Sequence, residues 1–404
     1  MSLAESINKK DIIDATDQCV MCGLCLPHCP TYTLAQTEPE SPRGRIALVR
    51  ALYEGKLDSS ETIISHLGNC LTCMNCEHVC PANVNYEKII DAGRAVTYMQ
   101  NSLLGLSQQS TLLFALSNAR ARKFFKACIY IFRTLGLIRL LPKTRLFSLL
   151  PETNNTLANI TAHKSNGPTI AIINSCAGDL VSDETLTAAT LVLSKLGYSV
   201  VEQKQTLCCG ALHQHSGDLK TAKELRQKFI HSINQQNPYY LVSLATGCGA
   251  QIKRYGELDD ISAEQLSKKI FDVNEFVLQQ INKTSLSFRP LAKKVYLHKP
   301  CSQAQVINDA TVVEQLLNNI PEIELVTFED KLACCGAGGM NTLAQSELAK
   351  HLVENKILEL KNTTANCLVS SNIGCALHFQ AQLKNENTHV QVCHPITLLA
   401  QQMV

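Results

Sequence analysis

No acidic residue occurs between Ala92 and Pro151, in a chain whose 37 Lys and Arg nearly balance 35 Asp and Glu overall. The net charge of +2 excludes the strongly basic balance of a nucleic-acid binder. A charged-then-apolar leader is also missing, because the opening residues are polar and amphipathic. No apolar run is long and clean enough to span a bilayer. There is no Gly-x-Gly-x-x-Gly fingerprint and no phosphate loop; Gly336-Ala337-Gly338-Gly339 lacks the pattern. No flavin or nicotinamide site is therefore expected, and with no hydride acceptor no catalytic residue is assigned.

Cysteine is what the chain has in quantity, with 19 residues. Many thiols without an export signal point to a reducing cytoplasm, where they serve metals or catalysis. Residues Cys19 to Pro30 read C-x-x-C-x-x-C-x-x-x-C-P, and Cys70 to Pro81 repeat the pattern. In such a run three thiolates grip one iron–sulfur cube, and the fourth Cys ligates the other cluster of a pair. That crossing assigns Cys19, Cys22, Cys25 and Cys80 to one [4Fe-4S] cluster. Cys70, Cys73, Cys76 and Cys29 go to a second. Zinc prefers two separated Cys pairs, and disulfide frameworks belong to short secreted chains. Neither fits two complete runs.

The expected architecture is α+β and multidomain. Residues 1–95 form a helical double [4Fe-4S] ferredoxin-type module. Between its Cys runs, Ser41 before Pro42 starts a helix whose apolar spacing continues through Ile46, Val49 and Leu52. Arg43 and Arg45 on that helix meet a partner, offset cluster charge, or merely begin a solvated helix. Residues 96–165 form a basic helical connector in which Phe124, Phe125, Ile129, Ile131 and Phe132 interleave with Arg120, Arg122, Lys123 and Lys126. A basic amphipathic helix of this kind lies on anionic membranes. The favoured expectation is instead a linker whose apolar face packs on its neighbours while its basic face is solvated. Cys128 is expected to be a small buried hydrophobe.

The remainder is a duplication, residues 166–290 and 291–404. Cys176, Cys208-Cys209-Gly210 and Cys248 recur as Cys301, Cys334-Cys335-Gly336 and Cys375, offset throughout by 125 to 127 residues. Each copy has an α/β rhythm. Strands are expected at Thr169–Asn174, Tyr240–Ala245, Lys294–His298 and Cys367–Ser371, with helices at Glu184–Leu196 and Ala304–Leu317. Two similar lobes should face one another, with Cys at strand ends, where open α/β sheets place their sites. Gly210 and Gly336 permit backbone closed to other residues and close approach of a neighbour. Each lobe thus offers four soft ligands suited to iron–sulfur chemistry, and the spacing leaves open whether one lobe, both or neither holds a further cluster. Cys367 and Cys393 fall outside the duplicated pattern and are expected in the core. Of His213, His215, His298 and His394, His298 is the best placed to support a cluster ligand; a satisfied structural His is the commoner outcome for each.

With both Cys runs, Pro42-Arg43-Gly44-Arg45 and the twin Cys-Cys-Gly lobes, the chain resembles the iron–sulfur subunits of bacterial glycolate oxidase (glycolate dehydrogenase). Thr72-Cys73-Met74-Asn75-Cys76, Gly247-Cys248-Gly249-Ala250 and Asn372-Ile373-Gly374-Cys375 support the likeness, which runs over nearly the whole chain. The same layout is found more loosely in the C subunit of anaerobic glycerol-3-phosphate dehydrogenase, lactate-utilisation proteins and heterodisulfide reductase subunits. The resemblance implies an oxidoreductase complex. A separate FAD-containing subunit oxidises glycolate to glyoxylate, and this subunit passes electrons to a membrane acceptor such as quinone. It would sit in the cytoplasm or peripherally on the inner membrane's cytoplasmic face. A heterodisulfide-type thiol reductase, a lactate or glycerol-3-phosphate dehydrogenase subunit, and an iron–sulfur sensor are the alternatives. One departure stands out: the family's Cys-x-x-Cys closing each lobe has Ala245 and Asn372 at its first position, which weakens transfer of the heterodisulfide reductases' non-cubane cluster.

Overall fold

The computed structural model describes residues 8–102, 108–135, 166–181, 183–201, 207–257, 260–281, 283–284, 286–306, 310–329, 334–344, 346–386 and 388–404. The chain forms two compact units. One comprises Met1–Leu113, Gly210–Glu224 and Cys334–Glu354; the other comprises Phe114–Cys209, Leu225–Ala333 and Asn355–Val404. Two short pieces of the duplicated region thus belong to the same unit as the Cys runs.

In the first unit, helices Lys9–Asp17, Pro42–Glu54, Glu61–Gly68 and Tyr86–Ser102 surround the Cys runs. The helix start read from Ser41-Pro42 is present. Ser41 Oγ accepts from the Gly44 amide at 2.9 Å, Pro42 needs no amide there, and Gly55 ends the helix at φ +76°. Gly93 lets Tyr86–Ser102 press onto this helix, since a Cβ there would lie 2.4 Å from a Val49 methyl. The core contains Ile12, Val49, Leu67, Ile89 and Ile90. Val49, Leu67, Ile89 and Ile90 are 0% exposed, each stabilising the fold by roughly 1.5–3 kcal/mol through burial.

The second unit carries two parallel four-stranded sheets of identical topology. In the first, β1 (Thr169–Ile173) lies between β2 (Ser199–Val201) and β3 (Tyr240–Ser243), with β4 (Ile270–Asp272) outside β3. In the second, β5 (Lys294–His298) lies between β6 (Glu324–Thr327) and β7 (Cys367–Ser370), with β8 (Gln391–Cys393) outside β7. Register repeats as well: Ile170 pairs with Tyr240, and Val295 with Cys367. The central strands are short apolar runs, as parallel strands covered on both faces must be. One hydrophobic core spans both sheets, joining Ile170, Val242 and Phe276 to Val295, Leu316, Val369 and Leu399. Cys367 and Cys393 belong to it, their sulfurs 3.8 Å apart on adjacent strands.

The lobes meet through a polar patch beyond the strand ends. Thr246 Oγ1 and Ser302 Oγ are 2.7 Å apart, Asn372 Nδ2 donates to Ser302 Oγ at 2.8 Å, and the Thr246 amide donates to the Ser371 carbonyl. Asn372 also caps its helix by accepting from the Gly374 amide at 3.0 Å. The residue standing in the place of a family Cys is therefore a helix cap and a lobe-to-lobe contact.

Two expectations need correction. The single helix at Ala304–Leu317 is two helices, Cys301–Val306 and Val312–Leu317, with residues 307–309 outside the described set. Ala310 and Thr311, immediately before the second helix, form a turn. In the connector, helix Ala119–Thr134 departs from the favoured reading on its apolar face. Of its basic residues only Arg122 turns inward, 1% exposed and bonded to Asp179 at 3.0 Å; Arg120 and Lys123 are exposed, and Lys126 is partly so and pairs with Asp183 at 2.7 Å. The aromatic residues face solvent instead: Phe124 is 66% and Tyr130 68% exposed, and Phe125, Ile131 and Phe132 are exposed too. A guanidinium with a carboxylate partner held the inward face. Cys128 is half-buried, and residues 103–107 and 136–165 of the connector lie outside the described residues.

Candidate metal centres

Both Cys runs fold with the same irregular backbone. Met21 and Gly23 have φ of +57° and +84°, and the corresponding Thr72 and Met74 have +49° and +56°. Three of these four residues have a Cβ, for which this region is unfavourable. Its recurrence at equivalent positions shows a conformation imposed by the surroundings. Such reversals turn successive amides into one concavity that suits an anionic group.

Two cavities lie at these loops. An open one is lined by Cys19, Cys22, Cys25, Cys76 and Cys80. A second is lined by Cys29, Cys70, Cys73 and Cys76. The first joins three Cys of one run to the last two of the other, the second joins three Cys of the other run to Cys29, and Cys76 borders both. The first is the more open: Cys22 is exposed, and Val20, Met21 and Leu24 beside it are 69%, 48% and 56% exposed. All four Cys of the second are buried. Burial pushes the Cys73 and Cys76 thiols well above their ordinary range, and nearby cysteines, first Cys334 and Cys73 respectively, add to the shift. Thiols in that state become ligands only when a bound cation compensates their charge. The donor set and the amide concavities fit iron–sulfur clusters.

Arg45 and Arg43 have separate tasks. Arg45 is 1% exposed, so the solvated-helix reading fails for it. Its Nη1 donates to Thr31 Oγ1 at 2.9 Å and the Glu40 carbonyl at 2.8 Å and lies 4.0 Å from Cys29 Sγ. Its Nη2 meets the Glu40 carboxylate. Glu40 in turn accepts from Asn69 at 2.8 Å and lies 2.7 Å from His66 Nδ1. Burial opposes the charge on Arg45, but Tyr86, Cys70, Cys29 and Glu40 outweigh it and raise its pKa. Arg43 is bonded to Glu38 at 2.7 Å and to the Met21 carbonyl at 3.0 Å, clamping the first Cys loop. Tyr86 Oη lies 3.5 Å from Cys70 Sγ, a contact that Cys spacing gives no sign of.

In the first lobe the structure brings the four expected Cys together. The Cys176 thiol is raised well above its ordinary range by its hydrogen bond with Cys208, then by burial. Cys248 behaves likewise with Cys209. Tyr255 Oη donates to the Cys209 carbonyl at 2.7 Å. Of the equivalent second-lobe residues, Cys334 and Cys335 belong to the first unit and Cys301 and Cys375 to the second. Gly210 and Gly336 have φ of +79° and +82°, and the close neighbour of each is a helix backbone: a Cβ would lie 3.0 Å from the Ala222 carbonyl oxygen or 2.7 Å from that of Ala349.

Three of the histidines have structural partners. His213 Nδ1 meets Asp218 at 3.0 Å; burial works against the Asp218 charge, but bonds with His213 and Thr221 hold its carboxyl below the usual range. His298 Nδ1 lies 2.9 Å from Ser370 Oγ, and its ring is edge-on to Phe379. His394 Nδ1 accepts from the Ile396 amide, capping the last helix.

Residues 15–84 match the family model of the 4Fe-4S dicluster domain, and residues 170–253 and 295–380 match that of the Cysteine-rich domain. The glycolate oxidase iron–sulfur subunit of Escherichia coli (strain K12) is 30% identical over 387 residues, 92% of this chain and 91% of the relative. The probable glycolate oxidase iron–sulfur subunit of Bacillus subtilis (strain 168) is 28% identical over 395 residues, 91% of this chain and 89% of the relative. Lactate utilization protein A of Bacillus velezensis is 24% identical over 231 residues, 56% of this chain and 96% of the relative.

Proposed function

Since the chain belongs to the family of glycolate oxidase iron–sulfur subunits, we propose that it is the electron-transfer subunit of a glycolate-oxidising complex. Glycolate loses two electrons and two protons to become glyoxylate, and that step falls to a separate FAD-containing subunit. Iron–sulfur clusters, when bound, accept and release one electron at a time. The observation that carries the reading is the pair of cavities, each of which mixes Cys of both runs: Cys19, Cys22 and Cys25 with Cys76 and Cys80 in one, and Cys70, Cys73 and Cys76 with Cys29 in the other. Cys19, Cys22, Cys25 and Cys80 would hold one [4Fe-4S] cluster, and Cys70, Cys73, Cys76 and Cys29 the second. Arg45 supplies positive charge beside the second set, and Tyr86 a hydroxyl to its Cys70 sulfur. The exposed Val20, Met21 and Leu24 offer an apolar rim at the first set, where a partner subunit would dock.

Glycolate is preferred to lactate because the glycolate oxidase relatives align over about nine-tenths of both chains. Quinone at the cytoplasmic face of the membrane is the proposed acceptor. Among the described residues no helix is long and apolar enough to cross a membrane. Peripheral contact would come from helix Ala119–Thr134, whose exposed aromatics stand beside the exposed Arg120 and Lys123. Cys176, Cys208, Cys209 and Cys248 are the candidate ligands of a third cluster. Cys301, Cys334, Cys335 and Cys375 are their counterparts.

Anaerobic iron and sulfide counts test the cofactor content. About eight irons are expected from two cubes, with Cys29→Ser damaging the cluster at Cys70, Cys73 and Cys76 and sparing the one at Cys19. About twelve irons, falling to eight in Cys208→Ser/Cys209→Ser, would place a third cluster in the first lobe. Fewer than about four in the wild type would overturn the assignment.

A further inference from the structure

Helix Tyr86–Ser102 carries Glu87 and Asp91 one turn apart on a common face. The helix Ala211–His215 packs against it and ends on His215. Gly217 makes that approach feasible: its φ is +89°, and a Cβ would lie 2.4 Å from the Arg94 carbonyl oxygen. Gln214 Nε2 donates to Asp91 Oδ2 at 2.8 Å, leaving the other carboxylate oxygen to face His215. One ligand atom from each of Glu87, Asp91 and His215 lies within 4.8 Å of the other two. Glu87 and Asp91 are 7% and 6% exposed. Asp91 Oδ1 is buried with no hydrogen-bond partner, and so is His215 Nδ1, 3.8 Å from it.

We propose that Glu87, Asp91 and His215 form a divalent-cation site separate from the cysteine centres. Two buried carboxylates at neighbouring positions repel, and a buried acceptor aimed at a ring nitrogen without a hydrogen bond is unfavourable. A cation answers both at once. It accepts the unused Asp91 oxygen, the Glu87 carboxylate and an imidazole lone pair. The donor set is one nitrogen with carboxylate oxygens, which suits Mn²⁺ or Zn²⁺ and differs from the soft thiolates of the clusters. Three protein ligands leave coordination positions for water. The bound ion would pin the 210–217 segment to the helix whose first residue, Tyr86, reaches Cys70. The competing arrangement, a protonated His215 shared between the two carboxylates, needs no metal.

The probe is Mn²⁺ added to the full chain isolated anaerobically with its clusters, because Mn²⁺ avoids thiolates. Loss of the free aqueous ion's paramagnetic-resonance lines reports binding, with iron content measured alongside. One equivalent is expected to bind. Affinity should fall by more than about tenfold in Asp91→Asn, His215→Gln and Glu87→Gln, in variants that retain wild-type iron. No saturable binding by the wild type would overturn the site in favour of the protonated-His arrangement. Unchanged binding in any iron-replete variant would overturn it as well. Should one variant lose iron, the wild-type stoichiometry and the remaining variants still decide.

Discussion

Tyr86 and Arg45 govern the charge that the buried cysteines of the first unit can carry. A hydroxyl donating to a ligand sulfur stabilises the more negative, reduced state of a cluster. Tyr86→Phe should therefore lower the potential of the cluster at Cys70 by on the order of tens of millivolts, with iron content unchanged. A redox titration followed by paramagnetic resonance measures this; an unchanged potential would remove Tyr86 from the account. His394 provides a pH test away from the metal centres. Burial drives its imidazole down to about 3 while its Nδ1 caps the last helix. A folded pKa below the unfolded one gives stability fully present above about pH 6.5 and lost as pH falls towards 3, at most about 5 kcal/mol in all. His394→Asn keeps a capping oxygen and should flatten the fall in urea midpoint between neutral and mildly acid pH. Spacing alone marked the Cys of both runs as candidate ligands, and they line the two cavities. It could not show that Arg45 is buried or that Tyr86 reaches Cys70, since both depend on packing between segments far apart in sequence.

At the scale of elements, the Cys-Cys-Gly turns and the Ala119–Thr134 helix behave differently from one another as sequence signals. The glycines were legible because a left-handed turn leaves few other residues, and φ near +80° in both copies agrees. What they approach, a helix backbone, was not. Gly336→Ala should cost about 1–3 kcal/mol and exceed Gly210→Ala, as its Cβ would come to 2.7 Å of a carbonyl oxygen instead of 3.0 Å. Thermal unfolding of the two variants side by side checks the order. The helix was legible as amphipathic but not in its orientation, because Asp179, the carboxylate that draws Arg122 inward, lies 57 residues away. With Phe124, Phe125 and Ile131 exposed, replacing all three by Ser should abolish co-flotation with anionic vesicles and leave the melting temperature within about a degree or two. Retained flotation would assign membrane contact elsewhere.

For the whole molecule, the duplication was the most informative feature of the sequence, and its two parallel sheets repeat strand order and register. The grouping of Gly210–Glu224 and Cys334–Glu354 with the Cys runs had no comparable signal. Motifs mark local geometry, whereas compact units are set by long-range packing. The proposed function has electrons arriving from another subunit. The most direct test is to add glycolate anaerobically to the isolated chain, and to the chain with its partner flavoprotein, while following cluster reduction by paramagnetic resonance. Reduced-cluster signals only when the flavoprotein is present are the predicted result. Glycolate oxidation by the isolated chain, or clusters left oxidised in the complete complex, would contradict it.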